Sequence, residues 1–599
     1  MHFNVLHTLH LATRVFWWRV VSVPDKYQWV FATQSSRLVD VLSSELRVSP
    51  LIARLLCNRG IRTPEDGNAF LRPSLSQLHD PMQLTGMDKA VSRLRQAIEK
   101  KEHIRIAGDY DVDGTTSTAL LSLFFNLVGA THSYTIPSRE EDGYGLSMRA
   151  VEKAHADGRK VLITVDNGVT AVEEVRRAQA LGIDVIITDH HSWGQELPPA
   201  YVIIHPKLPG QTYPFKDLCG CGVAFKLALA VARSFGSHTA REQEFAEFLH
   251  TAYALTAIAS ICDVVPLKGE NRVLTSTGLG ALASTRHAGL RALLETAELR
   301  GEVTGMDIAF KVGPRINAAG RMGQEQLAAR LLLTRDFTEA MEMASQLDGL
   351  NRQRQGIERG VTKSAKELMA ADSVYEEERV IVLAGSEWTQ GVIGIVAARM
   401  VEATGKPAIV LSVNAKGEAR GSGRSTKNFH LYNALARCEK LMLRFGGHAA
   451  AVGISMMAEN IPSLRRAVNE VAPAFFAFES AYPTLDIEAV ADASDLNVRL
   501  AHDVASLGPF GEGNPQPLFA IEDCKIAGRP RLVGKTSRHL AFQVVPGQGR
   551  GLHAIARGMA DRLSMLANPR GIKVAFTPRI STFYGSEQLE LEVKDLASA

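Results

Sequence analysis

Three carboxylates alternate along Gly108-Asp109-Tyr110-Asp111-Val112-Asp113-Gly114, directly after a short apolar run. The carboxyl ends of parallel strands form the ligand crevice of an open α/β sheet. If the segment stays extended, alternation puts Asp109, Asp111 and Asp113 on one side. Three such carboxylates repel one another unless a cation lies among them. The plain alternative is a solvated acidic turn. Thr164-Val165-Asp166-Asn167-Gly168 and Thr188-Asp189-His190-His191 each follow another apolar run. One His beside a strand is usually structural. Two after an Asp, at a sheet edge where other strands also end in Asp, point to a metal. Imidazole with carboxylates suits Mn²⁺, and Mg²⁺ or Zn²⁺ less well. Asp263, in Ile261-Cys262-Asp263-Val264-Val265-Pro266, closes a long helical stretch and by itself means little.

The elements that must hold these residues follow from periodicity. Strands are expected at 103–107, 133–136, 160–165, 184–188 and 200–204, with helices at 115–128, 148–157 and 171–181 between them. That alternation predicts a parallel sheet with helices on both faces. Helices rich in Ala and Leu follow at 222–236, 242–261, 274–298 and 324–333. Residues 337–369 lack breakers and are long enough to bridge two domains. A second α/β segment starts near Arg379, and after about Tyr482 short strands dominate.

With 599 residues the chain exceeds what one core supports, so three or more domains are expected. Net charge is only +3, so a basic surface must be local. The six cysteines include no CxxC pair, and Cys219-Gly220-Cys221 is too tight for the usual zinc spacing. They read as reduced thiols in a cytoplasmic protein. No uninterrupted apolar run reaches the ~20 residues of a membrane span. Phe16-Trp17-Trp18, flanked by Arg14 and Arg19, is a poor signal sequence, so residues 1–45 read as an extension outside the core.

The four motifs in this order resemble those of the DHH phosphoesterases. The resemblance implies a dinuclear centre, usually two Mn²⁺ ions with Mg²⁺ as alternative, that hydrolyses phosphoesters. It makes Asp111 and Asp113 ligands of one metal each, Asp166 the bridge, and His190 and Asp263 the completion of the second site. His191 would face the substrate phosphate, and Asp189 would orient a histidine. Many members carry a His four residues before the first paired Asp. Ala107 stands there in this chain, and Asp109 is the nearest substitute ligand. Two such ions about 3.5–4 Å apart can activate a water and clamp both oxygens of an in-line displacement.

Further segments narrow the resemblance to the bacterial single-strand-specific DNA exonucleases of this superfamily, over roughly residues 45–595. They are Ile136-Pro137-Ser138-Arg139 with Asp142-Gly143-Tyr144-Gly145, then Pro314 to Gly323, Leu350 to Gln355, Gly421 to Ser425, Phe445 to Ala451, and Pro509 to Pro515. The implied architecture is a parallel-sheet phosphoesterase domain (46–335), an interdomain helix (336–375), a smaller α/β domain (376–480) and a C-terminal β-barrel of OB type (481–599). Ser422, Gly423 and Arg424 offer backbone N–H groups and a guanidinium for a terminal 5′ phosphate, with Arg315 and Arg321 adding charge. Asn317 and His448 would also meet the substrate. Turn geometry alone is the alternative for the glycines. Arg139 and Tyr144 suit a channel entrance, where Tyr stacks on a base. An ordinary surface pair is the alternative. Lys525, Arg529, Arg531, Lys535, Arg538 and His539 form a basic run that fits a single strand or merely a solvated face.

The expected activity is therefore 5′→3′ degradation of single-stranded DNA to mononucleotides in repair and recombination. Two competing readings are hydrolysis of short oligonucleotides or cyclic dinucleotides, and a non-catalytic replication scaffold. The resemblance implies single-stranded-DNA-binding protein and a RecQ-type helicase as partners. A monomer that avoids membranes is expected.

Overall fold

Five short segments pair into a wholly parallel sheet. Its order is His132–Thr135, Ile104–Ala107, Val161–Val165, Asp184–Thr188, Val202–Ile204. Ile104–Ala107 and Val161–Val165 are buried at every position, as expected of strands covered on both faces. In chain order the strands run 2-1-3-4-5. The order reverses between the first and third, and that switch point is where ligands sit in such sheets. The computed structural model describes residues 18–20, 27–33, 35–139, 142–143, 145–236, 242–477, 484–567, 571–582 and 585–598.

Two units divide the chain. The first is Pro73–Glu479 with Pro509–Gly513. Besides the parallel sheet it holds a mixed five-stranded sheet, ordered Arg444–Gly447, Ala451–Met457, Glu418–Arg424, Ala408–Val413, Ile381–Ser386. Helix Phe337–Ala371 runs between these sheets. Its 35 residues span about 52 Å. It packs on Ala288–Thr296 and Gly313–Arg321 near its start and on Gln390–Thr404 beyond. A buried polar knot marks the passage. Arg354 donates to Asn351 Oδ1 and pairs with Glu358 at 2.8 Å, and Glu358 also meets Arg399. Breaking one partner of such a knot strands a buried charge, which explains the polar run within an otherwise amphipathic helix.

Among the described residues one helix, Glu242–Cys262, is long and apolar enough to cross a membrane by length and composition. Here it is a core helix, packed against Val112–Leu127 and Gly269–Ala283. The stretch 274–298, expected as one helix, is two: Gly269–Ala283 and Ala288–Thr296. His287 breaks it, its Nδ1 accepting from Leu290 N as an N-cap.

The second unit is Met1–Arg72, Ser480–Gly508 and Asn514–Ala599. Strands Phe519–Val533, His539–Pro546, Leu552–Ala556, Gln588–Ser598 and Ile572–Ser581 pair in that order, and the last pairs back to the first, closing a barrel. Residues 1–45 were expected outside the core. Instead Gln28–Ala32 pairs in parallel with Thr484–Ile487. Trp29 is buried and donates Nε1–H to Asp595 at 2.8 Å. Arg59 pairs with Glu488 and donates to Asn514. A buried indole that satisfies a buried carboxylate is core, not appendage. The boundary expected at 45 therefore does not coincide with that of the unit.

Candidate metal centre and cleft

The acidic motifs meet at the switch point. Asp109 to Asp113 follow the first strand, Asp166 the third, Asp189 to His191 the fourth, and Asp263 ends helix Glu242–Cys262. The first motif is not extended, as the alternation argument required. Helix Val112–Leu127 begins within it, and Asp111 is its N-cap, accepting from Gly114 N at 3.0 Å. An early helix suits these residues because the four orphan N–H groups and the helix dipole favour carboxylates there. The turn is tight. A Cβ on Gly114 would lie 2.6 Å from Asp109 N and Cβ.

His190 Nε2 points into the cluster, 3.2 Å from Asp166 Oδ1, 3.5 Å from Asp263 Oδ2 and 3.7 Å from Asp113 Oδ2. Three overlapping sets have ligand atoms within 4.8 Å of one another: Asp109 with Asp111 and Asp166; Asp113 with His190 and Asp263; Asp166 with His190 and His191. The substitute Asp109 thus lies with the other donors. Asp109, Asp113 and Asp166 are each only 1% exposed. Burial, then the neighbouring Asp111, pushes Asp113 up to about 6. Burial, then Asp113 and Asp111, pushes Asp263 up to about 8. Asp109 and Asp166 stand well above the usual carboxylate range, for burial first and neighbouring carboxylates second. Burial and the charge on His191 hold His190 down to about 3, leaving a neutral ring with a free lone pair. Buried Asp109 Oδ1 and His190 Nε2 have no hydrogen-bond partner. Crowded carboxylates, an orphaned oxygen and an orphaned imidazole nitrogen fit divalent cations.

The protein strains to gather these groups. Asp166 adopts φ +62°, a left-handed conformation costly for a non-glycine residue. Asp189 is not aimed at the cluster. Its carboxylate accepts from Val169 N, His190 N, His191 N and His191 Nδ1 at 2.7–3.1 Å. Burial alone would raise Asp189, but the bond and charge of His191, with the Val169 N–H, hold it at about 2. Conversely burial would depress His191, yet Asp189 raises it to about 9.

Sequence reasoning missed two supports. Asp113 accepts from Gly220 N and Cys221 N, both at 2.7 Å, at the start of helix Gly220–Ser234. A Cβ on Gly220 would lie 2.6 Å from Asp166, so only glycine lets this helix end approach. The other support is His205, fully buried after the fifth strand, whose Nε2 meets His191 O at 2.8 Å. The rule that singled out Asp166 and Asp189, a polar residue at a strand's carboxyl end, applies equally to His205.

Asp109, Asp111, Asp113 and Asp263 line a cleft of about 550 Å³ together with Arg139, Asn317, Arg321, Ser422, Arg424 and His448. Arg424 Nη1 donates to Ser422 Oγ at 2.7 Å, so strand alternation sets both side chains on one face. The segment is not the expected nest of backbone N–H groups. It is the middle strand of the mixed sheet, laddered on both sides. Gly421 and Gly423 serve packing instead, since Cβ atoms there would meet Leu411 at 2.6 Å and Leu431 at 2.7 Å. Arg321 donates to Gly391 O. Burial, with the nearby Arg139, Arg354 and Arg424, lowers it to about 10. Arg139 lies over the Tyr110 ring at 4.6 Å. Arg315 is not in the cleft. It pairs with Asp348 of the long helix at 2.8 Å, its helix turn facing that way. Tyr144 lies outside the described residues.

Comparison with known proteins bears on this site. The DHH family, N-terminal domain, matches residues 103–255, the DHHA1 domain 377–473, and the RecJ OB domain 487–595. Single-stranded-DNA-specific exonuclease RecJ of Bacillus subtilis is 37% identical over 522 residues, covering 87% of this chain and 64% of that protein. RecJ of Escherichia coli is 35% identical over 571 residues, covering 91% and 96%. Crystal structures of Thermus thermophilus RecJ cover 96% of this chain. The one with Mn²⁺ covers 80% of that chain, with TM-score 0.80 and 32% identity. The one with Mg²⁺ covers 79%, with TM-score 0.75 and 30% identity. All three parts of the chain agree with the geometry: it belongs to the RecJ family of single-stranded-DNA-specific exonucleases.

Proposed function

We propose that this protein is a metal-dependent 5′→3′ exonuclease that degrades single-stranded DNA to mononucleotides, in DNA repair and recombination. The observation that carries this reading is the facing of two chemistries across one cleft. Asp109, Asp111, Asp113 and Asp263, clustered with Asp166 and His190, line one side, and Arg424 with Ser422 lines the same space. Asp109, Asp111, Asp113, Asp166, His190 and Asp263 would hold two Mn²⁺ ions, with Mg²⁺ as alternative. Such a pair supplies Lewis acidity that activates water and offsets charge on the reacting phosphate.

The chain's own residues set the geometry. Asp166 belongs to two of the three overlapping donor groups and would hold both ions. Asp189 fixes the His191 ring through Nδ1, which leaves Nε2 for the substrate phosphate. Arg424 and Ser422 receive the terminal 5′ phosphate, with Arg139, Arg321, Asn317 and His448 around it. A phosphate held there sets the distance from chain end to scissile bond, which yields mononucleotides. The exposed Lys525, Arg529, Arg531, Lys535 and Arg538 of the barrel offer phosphate contacts to single-stranded DNA. We further assign the protein to the cytoplasm, as a monomer that works with single-stranded-DNA-binding protein and a RecQ-type helicase.

Digestion with Mn²⁺ tests this. Single strands labelled at the 5′ or 3′ end are compared with duplex. The 5′ label should appear as mononucleotide at the earliest times, while the 3′ label stays in long fragments and duplex survives. Early release of the 3′ label would reverse the polarity.

A further inference from the structure

Tyr110 stands between two carboxylates of the metal cluster, Asp109 and Asp111, and itself lines the cleft. Its place is tightly set. Helix Gly313–Arg321 presses on it so closely that a Cβ on Gly320 would lie 2.7 Å from Tyr110 O and 3.1 Å from Tyr110 Cβ. Only glycine at 320 admits this approach, so the backbone that carries the ring has little room to shift.

Arg139 reaches the same ring from another element. Its guanidinium carbon lies 4.6 Å from the ring centroid, inside the ~6 Å range of a cation–π interaction. The turn that carries Arg139 follows strand His132–Thr135 and is clamped at its backbone. Gln326 Nε2 donates to the carbonyl of buried Ile136 at 3.1 Å, and Arg139 N donates to Glu325 Oε1 at 3.3 Å. These clamps fix where the side chain starts, and the ring fixes where it ends.

That end needs fixing. Arg139, Arg321 and Arg424 converge in the cleft. Burial first, then the charge of Arg139, lowers both Arg321 and Arg424. Cations this close repel one another. Arg139 starts from a turn rather than a helix or strand, so it is the one driven toward solvent when no phosphate lies among them. A carboxylate partner would hold it but cancel the charge that a phosphate needs. An aromatic face holds the guanidinium through the ring quadrupole and leaves its charge for a phosphate.

We propose that Tyr110 is a positioning residue, whose ring holds Arg139 over the cleft in the orientation that meets a phosphate of the single strand. The inference rests on the exonuclease reading above. Holding a long side chain in its bound form before the substrate arrives lowers the cost of binding. The arrangement also joins the two halves of the site, because the ring that orients the cation lies between two proposed metal ligands.

A double-mutant cycle tests this. Wild type, Tyr110→Leu, Arg139→Gln and the double variant are compared, with Tyr110→Phe as the conservative replacement. Affinity for a 5′-phosphorylated single-stranded 20-mer is read by fluorescence anisotropy in EDTA, and Mn²⁺ affinity by calorimetry without DNA. Leu keeps most of the bulk and has no quadrupole. Tyr110→Leu should weaken binding of the 20-mer on the order of threefold to thirtyfold, and Tyr110→Phe by less than about twofold. In the Arg139→Gln background, Tyr110→Leu should cost nothing more. Mn²⁺ affinity should match wild type throughout. Equal loss from Tyr110→Leu with and without Arg139 overturns the proposal, because the ring then acts on its own. A fall in Mn²⁺ affinity does so too, since Tyr110 would then merely shape the carboxylates beside it. Wild type that leaves the 20-mer intact with Mn²⁺ would refute the exonuclease reading instead. The cycle in EDTA needs no hydrolysis, so the two failures are read apart.

Discussion

His205 Nε2 donates to the backbone carbonyl of His191 at 2.8 Å, and its tautomer is dictated by the chain. Lys207 N donates to His205 Nδ1 at 3.1 Å, so Nδ1 carries no proton and Nε2 must. Trp193 packs edge-on against the ring. The motif that positions the cluster is thus pinned from a strand it does not belong to. His205→Ala should lower kcat about tenfold, since a positioning group removed near the chemistry misplaces it. KM for long single strands should barely change. His205→Asn should recover most of the loss, because one amide can both accept from Lys207 N and donate to His191 O. Steady-state kinetics on the three proteins decide it. No recovery by Asn, or equal changes in kcat and KM, would mean His205 is only a core residue.

Asp166→Ala should abolish hydrolysis while the fold survives. Removing a crowded buried carboxylate relieves repulsion in the metal-free protein, although left-handed Ala keeps the backbone strain. The metal-free melting temperature should therefore hold or rise. Wild-type turnover in this variant, or in excess chelator, would exclude the dinuclear mechanism.

Stability and metal should be linked through pH. Asp113 and Asp263 are raised from 3.8 to about 6 and about 8, so the fold favours their protonated forms. That contribution is full below the unfolded pKa of about 3.9 and is lost as pH rises through the raised values. The chelated protein should melt several degrees lower at pH 8.5 than at pH 5. Adding Mn²⁺ should raise the melting temperature more at the higher pH, because the ligands are then already deprotonated. Calorimetry across this range checks both signs. A metal-induced shift that grows as pH falls would contradict the ligand set.

Arg424 tests polarity. Two metals have no intrinsic direction, so one strand end must be recognised elsewhere. Arg424→Ala should slow cleavage of 5′-phosphorylated strands roughly tenfold to a hundredfold, the worth of a charge-assisted hydrogen bond. Strands with a 5′ hydroxyl should lose far less. Initial rates on both substrates decide it, and equal losses would remove Arg424 from 5′-end recognition.

Trp29→Phe keeps the apolar ring and removes the donor to buried Asp595. It should destabilise the barrel unit by about 1–3 kcal/mol. Proteolysis under native conditions should then cut the barrel unit first, with hydrolysis of a dinucleotide intact. If the whole chain loses stability at once, the two units do not unfold separately.

The carboxylates and histidines were legible because polar residues after buried apolar strands have one physical destination, the carboxyl edge of a parallel sheet. Their place at strand ends and the order of motifs then brought Asp109, Asp111, Asp113, Asp166, Asp189, His190 and His191 to that edge without coordinates. The alternating pattern misled only where a helix N-cap at Asp111 competed with an extended strand and prevailed. Arg315 and Gly423 could not be resolved from sequence, since a motif names residues but not the direction a helix turn or ladder gives them. Gly220 at Asp113, His205 at His191 and Trp29 at Asp595 follow from packing. Sequence therefore determined the chemistry and the local elements, because both rest on residue type and short-range spacing. Tertiary structure alone decided which elements buttress the site and where the cleft ends, because contacts between segments distant along the chain are chosen by burial and fit, which leave no local pattern.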